Sequence, residues 1–145
     1  MHDALSEIRR FVTELEFQIK ELAKEYDVEN LGGPQGMTVF YLWKNRDKEI
    51  YIKDIENKLS ISKSVASNLI KRMEKNHFIE VVPSVKDKRC KQVILTNEGL
   101  AKSKKIEDFH IEMNKILFKD IQVKDLRTSL RVFKKLQKNI EKGEK

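Results

Sequence analysis

One cysteine, two prolines and five glycines are all that 145 residues contain of these types. A single cysteine excludes a disulfide framework and a cysteine-based zinc finger, and it suits a reducing cytoplasm. So little proline and glycine excludes a loop-rich β fold and a disordered linker, both of which need turn formers in quantity. No stretch reaches the roughly 18 consecutive apolar residues of a membrane-spanning helix, so no membrane association is expected. Asp3 and Glu7 make the first residues acidic, unlike the cationic start of a secretory signal. Charge is what the chain has in excess. Asp, Glu, Lys and Arg make up 37% of it, well above the usual quarter, while a hydrophobic fraction of 39% still supplies a core. Long helices with solvated faces account for both figures, and the length suits one cytoplasmic domain over 1–145.

The net charge of +7 is unevenly spread. Residues 1–31 hold eight acidic and four basic side chains, whereas residues 50–96 hold ten basic and five acidic ones. Residues 97–145 are again basic, with thirteen cations against eight anions. A basic middle beside an acidic first segment is the distribution expected of a nucleic-acid-binding centre on a separate frame.

That frame is visible as apolar stripes. Leu5, Ile8, Val12, Leu15, Ile19, Leu22 and Tyr26 alternate steps of three and four, a heptad-like helical face that wants a partner helix. The run is expected to end at Leu31-Gly32-Gly33-Pro34, where paired glycines release the chain and Pro34 opens a second helix marked by Met37, Phe40 and Tyr41. That helix closes in the polar stretch Asn45-Arg46-Asp47-Lys48. Further along, Thr96 is a plausible N-cap, with Glu98 in the first turn, for a helix carrying Ile106, Phe109, Met113 and Ile116. A last helix carries Val123, Leu126, Leu130, Phe133, Leu136 and Ile140, before a charged tail from Glu141 to Lys145 that should fray. An intramolecular bundle would use such stripes too, but heptad spacing sustained this far favours a homodimer through the terminal helices, 1–31 and 97–145.

Between them lies the segment that carries the chemistry. Ile52, Ile55 and Leu59 share one helical face; Ser60-Ile61 turns the chain; Ser62 can cap a second helix with Val65, Leu69 and Met73 facing inward. Two helices about three residues apart form a helix-turn-helix, whose second member can enter a DNA major groove. Its other face presents Lys63, Ser64, Ser67, Asn68, Lys71 and Lys75 beside Ser62. Short polar groups reach base edges, and lysines with the helix N-terminus hold phosphates. A polar, lysine-bearing face is common on surface helices, so the next segment decides. Phe78–Val82 and Lys91–Leu95 read as two strands, with Val93 and Leu95 inward and Lys91 outward. A hairpin directly after a helix-turn-helix is a wing, and its tip holds Lys86, Asp87, Lys88 and Arg89. Arginine at a wing tip suits the negative potential of a minor groove. Asp87, two residues before Arg89, can fix the guanidinium by a bidentate pair.

The helix-turn-helix, the Asp87-Lys88-Arg89 wing and the Leu95-Thr96-Asn97-Glu98-Gly99 that follows closely resemble the MarR family of transcription regulators. The resemblance covers the whole chain. It implies a mainly α fold with a small β wing: a winged helix-turn-helix lobe over 34–96, plus N- and C-terminal helices forming a dimerisation bundle. It further implies a homodimeric, sequence-specific repressor on pseudopalindromic double-stranded DNA, released by a small aromatic or hydrophobic effector. By that match Ser62, Lys63, Ser64, Ser67, Asn68 and Lys71 lie on the recognition helix and Arg89 at the wing tip. Three positions depart from the family pattern: Glu56 stands for a small residue, and Ser60 and His77 stand for turn glycines.

Other functions find less support. Cys90 sits between Arg89 and Lys91, but peroxide-sensing family members carry their reactive cysteine near the N-terminus, where this chain has none. His2, His77 and His110 are scattered, and Glu107 with His110 and Glu112 falls short of a zinc ligand set, so no metal or cofactor is expected. Trp43, Phe40 and Tyr41 read as core, with the alternative of lining an effector pocket. No nucleophile–base grouping or phosphate loop suggests an enzyme. A winged-helix adaptor, meeting an acidic protein with its basic face, is the alternative to a DNA-binding regulator.

Overall fold

The computed structural model describes residues 3–143. They divide into two compact units, Met1–Met113 and Asn114–Lys145. In chain order the elements are α1 (Ala4–Glu25), α2 (Pro34–Lys44), α3 (Ile52–Leu59), α4 (Lys63–Lys75), β1 (Ile79–Pro83), β2 (Lys91–Leu95), α5 (Asn97–Leu117) and α6 (Val123–Gly143). His2, Glu144 and Lys145 lie outside the described residues.

In the first unit, the two strands pair antiparallel with Ile79 opposite Leu95, Val81 opposite Val93 and Pro83 opposite Lys91. A short third rung joins them: Tyr51 bridges Gln92, and the Val93 N–H donates to the Ile50 carbonyl at 2.8 Å. The core draws on every element of this unit, with Leu31, Val39, Ile55, Met73, Ile106 and Phe109 at 1% exposure or less. Each such side chain contributes about 1.5–3 kcal/mol through the apolar area it removes from water. Local rules set the ends. The Ser62 hydroxyl accepts from Val65 N–H at 3.2 Å, the Thr96 hydroxyl from Gly99 N–H at 3.1 Å, and Pro34 stands in the first turn of α2. Each relieves an amide that a helix start leaves unpaired, or in the case of proline supplies none.

Four sequence expectations are corrected. First, α1 stops at Glu25 rather than at the Gly32-Gly33 pair. The chain turns through left-handed Asp27 (φ 58°) and Asn30 (φ 69°), while Val28 and Leu31 are fully buried. Asp27 is anchored there: Lys105 at 2.6 Å and Lys102 at 3.3 Å pair with its carboxylate and hold it below its ordinary pKa, and Lys102 also reaches its carbonyl at 2.7 Å. Second, Val65 does not face inward; it is 50% exposed, and α4 buries Ala66, Leu69, Ile70 and Met73 instead. Third, of the three aromatics of α2 expected in the core, Phe40 and Tyr41 are half-buried and pack against it, but Trp43 is half-buried without joining it; the helix buries Thr38, Val39 and Leu42. Fourth, the helix expected to fray from Glu141 onward continues as α6 to Gly143.

In the second unit, Val123, Leu130, Phe133, Leu136 and Ile140 of α6 are exposed, as are Leu5, Ile8 and Val12 of α1 in the first. The first turns of the α1 stripe and the α6 stripe are thus exposed apolar faces, whereas further along α1 Leu22 is buried and Ile19 packs against the core, as does Tyr26 just beyond it.

Ser60 (φ 54°) and His77 (φ 64°), the two residues standing for turn glycines, both adopt the left-handed conformation. A side chain there is strained by about 1–2 kcal/mol. Ser60→Gly and His77→Gly should each stabilise the protein by about 0.5–1 kcal/mol after the extra freedom of an unfolded glycine is subtracted. A higher urea midpoint with an unchanged slope is the expected result; a lower midpoint for either variant would contradict it.

Candidate nucleic-acid interface

Ile55 and Leu59 of α3 pack toward α4, and left-handed Ser60 turns the chain so that Ser62 begins the next helix. The buried face of α4 is committed to the core, so Ser62, Lys63, Ser64, Ser67, Asn68 and Lys71 are all exposed, and Lys75 with them. Ser62 Oγ lies 3.3 Å from Ser64 Oγ, which clusters two hydroxyls at the helix start. No acidic residue occupies this first turn, so its dipole is open to an anion. Val65 adds an apolar surface among these polar groups. Spacing alone assigns it to the core, because an i, i+4, i+8 pattern with Leu69 and Met73 fits almost as well as the pattern actually buried.

At the wing, Lys86, Lys88 and Arg89 are exposed and Asp87 is half-buried. Arg89 is held as the spacing with Asp87 suggests. Its Nε donates to Oδ1 and its Nη2 to Oδ2 of Asp87, each at 3.1 Å, and its backbone N–H donates to Oδ1 at 3.0 Å. The Arg89 side chain is nonetheless 91% exposed, a fixed cation projecting into solvent. Those hydrogen bonds, the side-chain pair first, hold the Asp87 carboxyl below its usual range. Cys90 is exposed, its thiol 3.9 Å from Asp87 Oδ2.

The base of the wing contains a group the sequence reading missed. Glu49, in the turn before α3, receives hydrogen bonds from the Tyr51 hydroxyl (2.7 Å), the Ser84 hydroxyl (2.5 Å) and the Val85 N–H (2.9 Å). These partners lie up to 36 residues away, and no local pattern signals such a pairing.

A cavity of about 530 Å³ lies elsewhere in the unit, lined by Met37, Phe40, Phe109, His110 and Met113 with Lys44 and Lys58. His110 meets Phe40 edge-on at 5.4 Å, and burial pushes its imidazole below the ordinary pKa. Phe40 and Tyr41 line this space, whereas Trp43 stacks under the Arg46 guanidinium at 4.7 Å. Glu107 pairs with Lys104 at 3.3 Å. Among the described residues no group of three His, Cys, Asp or Glu side chains could hold a metal ion, and no helix is long and apolar enough to cross a membrane.

A helix-turn-helix followed at once by a two-stranded wing defines a winged helix-turn-helix protein. Residues 34–91 match the MarR family model. The chain is 47% identical to heme-free PefR, over 93% of this chain and 98% of that one, with a TM-score of 0.83. It is equally identical to the heme sensor protein PefR from Streptococcus agalactiae in complex with heme, over 96% and 95% of the two chains, with a TM-score of 0.74. S. aureus MepR in complex with DNA shares 19% identity over 96% of this chain and 98% of that one, with a TM-score of 0.75, a likeness of fold. No curated protein matches. The chain belongs to the MarR family of DNA-binding winged-helix transcription regulators.

Proposed function

We propose that this protein is a cytoplasmic, homodimeric repressor that binds pseudopalindromic operators and releases them when heme occupies the cavity beside His110. The observation that carries DNA recognition is the Asp87–Arg89 fork: a cation held rigidly yet almost fully exposed beside a helix with an open N-terminal dipole. In this reading α4 enters the major groove. Ser64, Ser67 and Asn68 meet base edges, Val65 meets a thymine methyl, and Lys63, Lys71 and the Ser62 end of the helix hold phosphates. Arg89 enters the adjacent minor groove with Lys86 and Lys88 on its flanking phosphates. The exposed apolar residues Leu5, Ile8 and Val12 of α1 and Val123, Leu130, Phe133, Leu136 and Ile140 of α6, in segments 1–31 and 97–145, support a second copy as their occupant, since exposed apolar faces of this kind mark association surfaces. The lobe over 34–96 then carries DNA binding.

Selection from a random duplex pool at moderate salt tests this. A pseudopalindromic consensus with half-sites one helical turn apart is expected, together with affinity that falls steeply with salt. No enrichment would favour the protein–protein adaptor, and a monomer in sedimentation would remove the dimer.

The effector reading draws on the heme-sensing relative and on the residues present here. An iron porphyrin suits this cavity: the aromatic and thioether walls accept a macrocycle, and Lys44 and Lys58 can pair with carboxylates. His110 is kept neutral by burial, the form in which an imidazole nitrogen ligates a metal. Heme titrated into the purified protein should develop a sharpened Soret band and release the operator, and His110→Ala should shift that band and weaken binding. An identical spectrum and affinity in the variant would remove His110 from the site.

A further inference from the structure

We propose that Glu49 is a positioning residue for the wing, aiming Arg89 at DNA through a relay of hydrogen bonds. This rests on the reading of the wing as a DNA contact. The relay is continuous. Glu49 accepts from Ser84 Oγ–H and from Val85 N–H, so one carboxylate grips two successive residues at the start of the wing loop. Ser84 is 2% exposed, and its hydroxyl is fully used: it donates its proton to Glu49 and accepts from Lys86 N–H at 3.1 Å and Asp87 N–H at 3.0 Å. Asp87 then holds the Arg89 guanidinium by its two 3.1 Å bonds. Hydrogen bonds connect each residue of the relay to the next, and four of them end on a carboxylate.

Glu49 itself is not free to follow the wing. It stands next to Ile50, whose carbonyl is paired with Val93, and beside Tyr51, whose hydroxyl occupies the same carboxylate and whose N–H is held by Asp54 at 2.8 Å. The loop is thus tied to the root of α3, the first helix of the helix-turn-helix, not only to its own hairpin partner. A two-stranded hairpin alone is marginal in water. Without the Glu49 grip the loop bearing Arg89 would sample many orientations, and the ordering would fall due on DNA binding.

The test is a double-variant cycle on an operator bound by the native chain, with Glu49→Gln and Arg89→Ala. Glu49→Gln should weaken binding roughly tenfold, the scale of losing hydrogen bonds to a charged acceptor. In the Arg89→Ala background the same change should have no further effect, because its role passes through that guanidinium. Ser84→Ala should behave as Glu49→Gln does. Amide exchange gives a readout independent of DNA: Lys86 and Asp87 should lose protection in Glu49→Gln while α3 and α4 keep theirs. Equal losses with and without Arg89, or protection lost throughout α3 and α4, would make Glu49 a general stability residue and overturn the proposal. If Arg89→Ala weakens binding but Glu49→Gln does not, the positioning role alone is wrong. If Arg89→Ala changes nothing, the wing reading falls, and the proposal with it.

Discussion

Replacing Arg89 by alanine should lower affinity for the operator by about 10- to 100-fold, the scale of about 1–3 kcal/mol for a well-placed charged contact to DNA. Its orientation is already fixed before DNA arrives, by Nε and Nη2 bonds of 3.1 Å to Asp87, so little side-chain freedom is lost on binding. Its 91% exposure means that almost nothing else in the fold depends on it, and the melting temperature should be unchanged. The salt slope should flatten by about 0.9 if the guanidinium neutralises one phosphate. Asp87→Asn provides the sign test. Removing a negative charge beside DNA would strengthen binding if Coulomb repulsion dominated. Loss of the fork would weaken it if orientation dominated, and weakening is expected. A tighter Asp87→Asn complex, or an Arg89→Ala complex of native affinity in a mobility-shift titration, would count against the wing.

Gly36→Ala should be the most damaging single substitution for stability, at about 3 kcal/mol or more, beyond the ordinary range of overpacking. A Cβ at Gly36 would stand 1.7 Å from the Leu31 carbonyl oxygen and 2.7 Å from its carbon. Leu31 is fully buried, and the turn it closes is tied down by Asp27 to Lys102 and Lys105, so neither side can move aside cheaply. With a typical domain stability of about 5–15 kcal/mol, much of the native population at 37 °C would be lost. Gly33→Ala is the control, since nothing lies within 4 Å of that Cβ. Thermal unfolding at one fixed protein concentration should separate the two by on the order of 10 °C. Equal midpoints would show that α2 can shift where the packing says it cannot.

The elements were legible because their signals are local. Ser62 and Thr96 sit where a hydroxyl can serve a helix start, Pro34 where an amide is dispensable, and Val93 and Leu95 alternate as a strand requires. The Asp87–Arg89 fork was equally readable, since two residues of spacing suffice to close it. The end of α1 was not. Gly32 and Gly33 look like a stop, but the turn is made earlier by Asp27, whose left-handed backbone is held by lysines about 75 residues away. Helical spacing admits Val65 on the inner face because adjacent arcs fit almost equally well, and the packing of α4 against α3 and β1 chooses between them.

The amino-acid sequence by itself therefore determined the helix-turn-helix, the wing and its arginine, and the apolar stripes, because each depends on spacing within one element or one turn. Tertiary structure alone decided three things: that Val65 joins the exposed face of α4, that Glu49 grips Ser84 across 35 residues, and that His110 shares a cavity with Phe40 and Lys44. Those juxtapositions are set by how buried faces pack. Periodicity says which residues a helix can bury, but not which neighbour will be waiting on the other side.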